Sequence, residues 1–146
     1  MSSFKGSYTY SVDDKGRVSL PAKMRKYVSP EANNMFLVTR GFEKCLFLYP
    51  MDEWNKMESN LRKLSSGDPL HRLFLRTICE YAQESTLDAQ ARITIPPELR
   101  DYAGIQNEVR IIGVLDKIEL WNPKVYEEYK NSQSESYESI AAKIMH

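Results

Sequence analysis

Two stretches of this 146-residue chain place an acid, a tight turn and a base in the same order: Asp13-Asp14-Lys15-Gly16-Arg17 and Asp88-Ala89-Gln90-Ala91-Arg92. In such an Asp-x-x-x-Arg turn the carboxylate can accept turn N–H groups and pair with the guanidinium on the far side. Gly16 supplies a residue for which positive φ carries no steric cost. The product is a rigid loop with Lys15 at its tip and Arg17 at its edge. Lys23, Arg25 and Lys26 follow, so residues 15–26 hold five cations and no acid. From spacing alone two uses stand. The pair can simply staple a hairpin, which is the commoner role of surface charge pairs. The cluster can also face a polyanion, with lysines on phosphate and a guanidinium on guanine. The second turn favours the stapling use, because its tip Ala89-Gln90-Ala91 has neither Lys nor Gly and Glu98 and Asp101 flank Arg100.

Other chemistry finds little support. There is no Gly-x-Ser-x-Gly elbow, no phosphate-cradling loop among the six glycines and no zinc-helix His pair. Cys45 and Cys79 form no Cys-x-x-Cys motif, sit among apolar neighbours and read as buried small hydrophobes. His71 is isolated from both, and His146 is the last residue. No enzyme, metal, cofactor or small-molecule substrate is therefore expected. Tyr8, Tyr10, Tyr49, Trp54, Trp121 and Tyr126 could stack bases, but their spacings suit core and interface better. No apolar run reaches the ~18 residues of a membrane span, and Met1-Ser2-Ser3-Phe4-Lys5 lacks a signal-peptide core. A soluble cytoplasmic protein without a membrane partner is expected. Zero net charge conceals a split, +4 over residues 1–80 and −4 over residues 81–146, so the two halves differ toward a polyanion.

The elements that must position these turns occur twice. Residues 13–25 align with residues 88–100 at a constant offset of 75, and Leu46-Phe47-Leu48-Tyr49 with Trp54 aligns with Ile118-Glu119-Leu120-Trp121 with Tyr126 at 72. The shortening falls at Ser29–Asn34, against Gly104–Asn107. Alternating Tyr8, Tyr10 and Val12 predict a strand before the first turn, and Val18 and Leu20 one after it. Pro21 opens a short helix with Met24 and Tyr27, and strands at Met35–Thr39 and Cys45–Tyr49 follow. The second copy repeats this at Ser85–Leu87, Arg92–Ile95, a helix from Pro97, Val109–Leu115 and Ile118–Trp121. Between the copies, Trp54, Met57, Leu61 and Leu64 predict one helix. Asp68 caps a second, with Leu70, Phe74 and Ile78 on one face and Leu73 beside them. Asn122-Pro123 starts another with Val125, Tyr126 and Tyr129. The tail 131–138 is polar and reads as mobile, and Ile140, Ala141 and Ile144 suit a short docking helix.

Over about residues 4–130 the chain resembles the MraZ family, built from two tandem SpoVT-AbrB domains. Phe4-Lys5-Gly6, Asp13-x-Lys15-Gly16-Arg17-x-x-x-Pro21 with Arg25, Leu48-Tyr49-Pro50 before Trp54, and Asp88-Ala89-Gln90-x-Arg92 carry the resemblance. Ala91 departs from the glycine common before the second arginine, which would strain that turn. The resemblance implies an α+β, mainly β fold: a duplicated AbrB-like swapped-hairpin β-barrel, formed as an intrachain pseudo-dimer, with a helical insert and C-terminal helices. It divides the chain into a first domain at 5–52, the insert at 53–82, a second domain at 83–126 and a C-terminal helix and tail at 127–146.

The same resemblance implies a transcriptional regulator associated with the nucleoid. It would assemble as a homo-oligomeric ring, an octamer or larger, and bind short direct repeats in the double-stranded promoter DNA of the division and cell-wall gene cluster, its own gene included. Lys15, Arg17 and Arg92 match the family's DNA-contacting positions. Lys23 and Arg25 join them from the charge reading as phosphate contacts, and Asp13, Gly16 and Asp88 structure the turns. Rotation around a ring would present the same loop at regular intervals, and linked weak contacts multiply in affinity. The competing reading is a ring-forming interaction scaffold without specific DNA recognition, resting on the apolar insert helices and the neutral charge. A lone antitoxin-like AbrB regulator is a nearer alternative, and two fused copies with a helical insert argue against it.

Overall fold

The computed structural model describes residues 2–145, so Met1 and His146 lie outside the described residues. Among the described residues, eight strands and six α-helices follow one another as β1 (Ser7–Ser11), β2 (Arg17–Ser19), α1 (Ala22–Arg25), β3 (Met35–Arg40), β4 (Leu46–Pro50), α2 (Met51–Leu61), α3 (Pro69–Tyr81), β5 (Gln83–Thr86), β6 (Arg92–Thr94), α4 (Pro97–Ala103), β7 (Glu108–Gly113), β8 (Ile118–Trp121), α5 (Pro123–Asn131) and α6 (Tyr137–Ile144). A single 3-10 turn at Pro30–Ala32 precedes β3. The result is a mixed α and β architecture with antiparallel pairing throughout.

Strand pairing crosses between the copies. Six strands form one sheet in the order β1-β7-β8-β4-β3-β5, and β2 pairs with β6 in a separate two-stranded ribbon. The sequence reading treats the strands on either side of the first turn as a hairpin. They meet only at the turn, where Asp13 N–H donates to Arg17 O at 3.0 Å, and then diverge, β1 to β7 and β2 to β6. The registers obey a pseudo-two-fold. Val18 lies opposite Ile93, its own counterpart at offset 75, and Phe47 lies opposite Glu119, its counterpart at offset 72.

Alternation along the strands divides the interior in two. Leu46, Leu48, Val109, Ile111, Ile118 and Leu120 face the β2–β6 ribbon with α1 and α4, enclosing Val18, Met24, Ile93 and Leu99. On the other side Leu37, Phe47, Tyr49 and Trp121 pack against Trp54 and Leu61 of α2 and Ile78 of α3, with α5 over Trp121 through Tyr126 and Tyr129. Thr39, fully buried, donates from Oγ1 to Ile78 O at 2.9 Å and so ties α3 to β3.

Three local readings are corrected, at Pro21, at Cys79 and at the C-terminal helix. Pro21 stands one residue before α1, with φ −55° and ψ 137°, because the residue before a helix keeps an extended ψ that proline tolerates. Cys79 is exposed, unlike Cys45; it is one position beyond buried Ile78 and so rotated off the inward stripe of α3. Cys45 is fully buried, and burial pushes its thiol up to about 12. On α3 only Ile78 is buried, while Leu70 and Leu73 are 75% and 60% exposed and Phe74 is more than a third exposed. Finally, α6 forms but buries none of its residues, leaving Ile144 exposed rather than docked.

Candidate nucleic-acid interface

The two Asp-x-x-x-Arg turns have the same internal geometry. Asp13 Oδ1 accepts the N–H groups of Lys15 (3.0 Å) and Arg17 (2.8 Å), and its Oδ2 accepts Arg17 Nε at 2.7 Å. Asp88 Oδ1 accepts Gln90 N–H and Arg92 N–H, both at 2.9 Å, and its Oδ2 accepts Arg92 Nε at 2.9 Å. Each carboxylate thus fastens the turn backbone and the root of its guanidinium at once. Hydrogen bonds to the charged form lower a carboxyl's pKa. Asp13 is held below the ordinary aspartate range, first by the Arg17 backbone N–H. Asp88 is lowered in the same way, first by the Arg92 N–H.

The residue before each arginine carries positive φ, +80° at Gly16 and +60° at Ala91. The second turn therefore keeps the left-handed conformation with a side chain present, at a cost of about 1–2 kcal/mol relative to glycine. Gly16 faces a further constraint, since a Cβ there would lie 2.7 Å from both Arg100 Nε and the Ile95 carbonyl oxygen.

Pairing of β2 with β6 brings the turns side by side. Ser19 lies opposite Arg92, Arg17 opposite Thr94, and Arg92 Nη1 stands 3.9 Å from Asp13 Oδ2 of the other turn. The Arg17 and Arg92 side chains are about a third and a quarter exposed. Since the aspartates engage the Nε edges, the terminal nitrogens of Arg17 have no hydrogen-bond partner among the described residues. Lys15, Lys23, Arg25 and Lys26 are exposed. Lys23 and Arg25 lie on α1, directly after β2, so the backbone fixes their distance from the Arg17 turn.

Two features escaped the sequence reading. Lys5 joins this side of the molecule, its Nζ 5.3 Å from the Tyr27 ring centre while Lys26 Nζ lies 5.4 Å from the same ring. Spacing gives no signal for this, because Lys5 and Tyr27 are 22 positions apart. The second is the seat of Arg100, whose Nε donates to Ile95 O at 3.0 Å beside Gly16 of the opposite copy. Only the inter-copy pairing creates that contact. His71 has a local use: its Nδ1 accepts Ser65 N–H at 3.0 Å at the corner between α2 and α3. Among the described residues no group of three or more His, Cys, Asp or Glu side chains could hold a metal ion. Among the described residues no helix is long and apolar enough to cross a membrane.

An intercopy ribbon carrying paired Asp-x-x-x-Arg turns defines a duplicated, two-turn architecture, and comparison with known proteins identifies it. The family model described as "MraZ protein, putative antitoxin-like" matches residues 3–77 and again 78–145. The chain belongs to the MraZ family. It is 45% identical over 139 residues to a protein of Halothermothrix orenii named Transcriptional regulator MraZ, covering 95% of this chain and 94% of that one. Proteins of the same name from Natranaerobius thermophilus and Acetivibrio thermocellus are 40% and 41% identical, each covering 97% of this chain and 96% of its own length.

Proposed function

We propose that this chain is a transcriptional regulator that binds double-stranded promoter DNA through its paired turns. The carrying observation is that both Asp-x-x-x-Arg turns lie side by side on one ribbon, with partly exposed guanidinium groups and exposed lysines around the first. Arg17 and Arg92 would meet base edges or phosphates, with Lys15, Lys23 and Arg25 on phosphates. Asp13, Gly16 and Asp88 hold the turns rigid, so little side-chain entropy is lost on binding. The names of the relatives support the regulatory role.

Assembly into a ring of eight or more copies, on direct repeats upstream of a division and cell-wall cluster that includes its own gene, is the finer part of this proposal. Uncovered apolar residues on α3 and α6 support self-association. The swapped-hairpin barrel, with domains at 5–52 and 83–126, an insert at 53–82 and a tail at 127–146, is supported by the inter-copy pairing of β1 with β7 and β3 with β5. A cytoplasmic, nucleoid-associated location without enzymatic activity, cofactor or metal completes the reading.

The test is fluorescence anisotropy with the DNA upstream of the protein's own gene, against a shuffled duplex of equal length, over a salt series. Preference for the native duplex and a slope of log affinity on log salt steeper than about −2 are expected, at ~0.9 per phosphate neutralised, as several subunits engage. The second reading, a ring-forming scaffold, is favoured by the exposed Phe42, Leu70 and Leu73. Equal affinity for both duplexes would select it.

A further inference from the structure

Two arginines that follow the turns, Arg25 and Arg100, are counterparts at offset 75 and yet behave differently. Their backbones match. Arg25 N–H donates to Pro21 O and Arg100 N–H to Pro96 O, both at 3.0 Å. The turn-to-strand bonds match as well, Leu20 N–H to Ala91 O at 2.9 Å and Ile95 N–H to Gly16 O at 2.8 Å. Only the side chains part. Arg100 folds back, donates from Nε to Ile95 O at 3.0 Å and lies over Gly16. A Cβ on Gly16 would come within 2.7 Å of Arg100 Nε and 2.9 Å of its Cζ, so this seat exists because the turn residue has no side chain.

By the pseudo-two-fold, the corresponding seat for Arg25 would be the Leu20 carbonyl, beneath Ala91. There the turn residue carries a methyl group, at φ +60°. Arg25 is exposed, makes no side-chain hydrogen bond or ion pair among the described residues, and borders a depression with Ser29 and Asn33. We propose that the Ala91 methyl closes the seat that Gly16 leaves open, and so holds Arg25 outward as a contact for nucleic-acid phosphate while Arg100 is withdrawn. Ala91 is thus a positioning residue acting through Arg25. This inference rests on the DNA-binding reading above.

The surroundings of the two arginines point the same way. Arg25 shares its copy with exposed Lys15, Lys23 and Lys26, and the counterparts of those three are exposed Gln90, Glu98 and Asp101. Charge and side-chain freedom therefore both favour phosphate on the first copy. An alanine retained at a left-handed position, against its conformational cost, gains a use: it makes two nearly superposable turns unequal.

The test is Ala91→Gly in the full chain. Restoring glycine opens the seat, so a crystal structure of the variant should place Arg25 Nε on the Leu20 carbonyl; Arg25 remaining in solvent would overturn the proposal without any DNA present. Affinity for the upstream duplex should fall about tenfold, the scale of one charge-assisted hydrogen bond, and the salt slope should become shallower by about 0.9 for each engaged subunit. Arg25→Ala should reproduce that loss, and the double variant should lose no more than either single. The melting temperature of Ala91→Gly should be no lower than that of the parent, which separates lost affinity from lost folding. Unchanged affinity and slope in Ala91→Gly would overturn the proposal. Because the slope is also measured on a shuffled duplex, a parent that shows no operator preference would remove the specific-regulator reading and leave the Arg25 contact still decided by its own slope.

Discussion

Val18 lies directly opposite Ile93, its counterpart in the other repeat, at the centre of the β2–β6 ribbon. A residue can face its own counterpart only on the pseudo-symmetry axis, so this pair places the axis between the two turns. Both side chains are nearly fully buried, and a slip of one residue would turn both outward. The core therefore sets the separation of Arg17 and Arg92, and the two turns lie on one surface.

That arrangement makes Arg17→Ala the most direct test of the site. The guanidinium is partly exposed and its loss leaves Asp13 with two backbone N–H donors, so folding and assembly should survive. On the proposed function Arg17 would lose a base contact worth about 1–3 kcal/mol per engaged subunit, and linked subunits would multiply the loss. Operator binding should become undetectable at concentrations that saturate the parent, with the circular dichroism melt and sedimentation profile unchanged. Parental affinity in an intact assembly would sink the role assigned to Arg17.

The aspartates give the protein an acid-sensitive element. Asp13 and Asp88 are both lowered in the folded state, chiefly by the N–H groups of Arg17 and Arg92. A group with a depressed folded pKa contributes stability above its unfolded pKa and loses it as pH falls through the folded value. The melting temperature should therefore decline as pH drops below the ordinary aspartate range. The Asp13→Asn, Asp88→Asn double variant should be less stable at neutral pH and flatter in acid, so that the two curves converge at low pH. Parallel curves across the acid range would contradict this account.

Gly16→Ala should be costly where Ala91 is tolerated. The added methyl meets positive φ together with the Ile95 carbonyl and the Arg100 guanidinium, both at 2.7 Å. Left-handed strain and overpacking together suggest a loss of about 2–4 kcal/mol, read as a lower urea midpoint with unchanged m-value. A neutral result would mean that the first turn accommodates a methyl group at positive φ as the second does at Ala91.

Much of this was legible in the residues. The offset of 75 revealed two copies, and Asp13 with Arg17 announced the turn, because local hydrogen bonding by Asp is a property of a few neighbouring positions. Caps were equally local: Asp68 accepts Leu70 N–H at 2.8 Å and Asn122 accepts Lys124 N–H at 2.8 Å. What stayed hidden was non-local. The divergence of β1 and β2 to partners in the other copy has no signature in alternation, which is the same for any antiparallel neighbour. The Arg100 seat on Gly16 needs that pairing first. Apolar spacing on α3 was visible, but helical periodicity states which residues share a face and not what covers it, and Leu70 and Leu73 are left in solvent.

The attachment of α3 offers the last test. Its outer apolar residues meet solvent, and the helix is held to the sheet through Ile78, through Leu75 packed on the same core, and through Thr39, whose Oγ1 donates to Ile78 O at 2.9 Å from a fully buried position. Thr39→Val keeps the shape and removes the donor, leaving the Ile78 carbonyl oxygen without that partner. A loss of about 1–2 kcal/mol is expected. It should be concentrated in α3, so amide hydrogen exchange over residues 69–81 should quicken more than over β7 and β8. Uniform quickening across the sheet would show instead that α3 and the ribbon core unfold as one unit, and that Thr39 supports the whole fold rather than the seating of one helix.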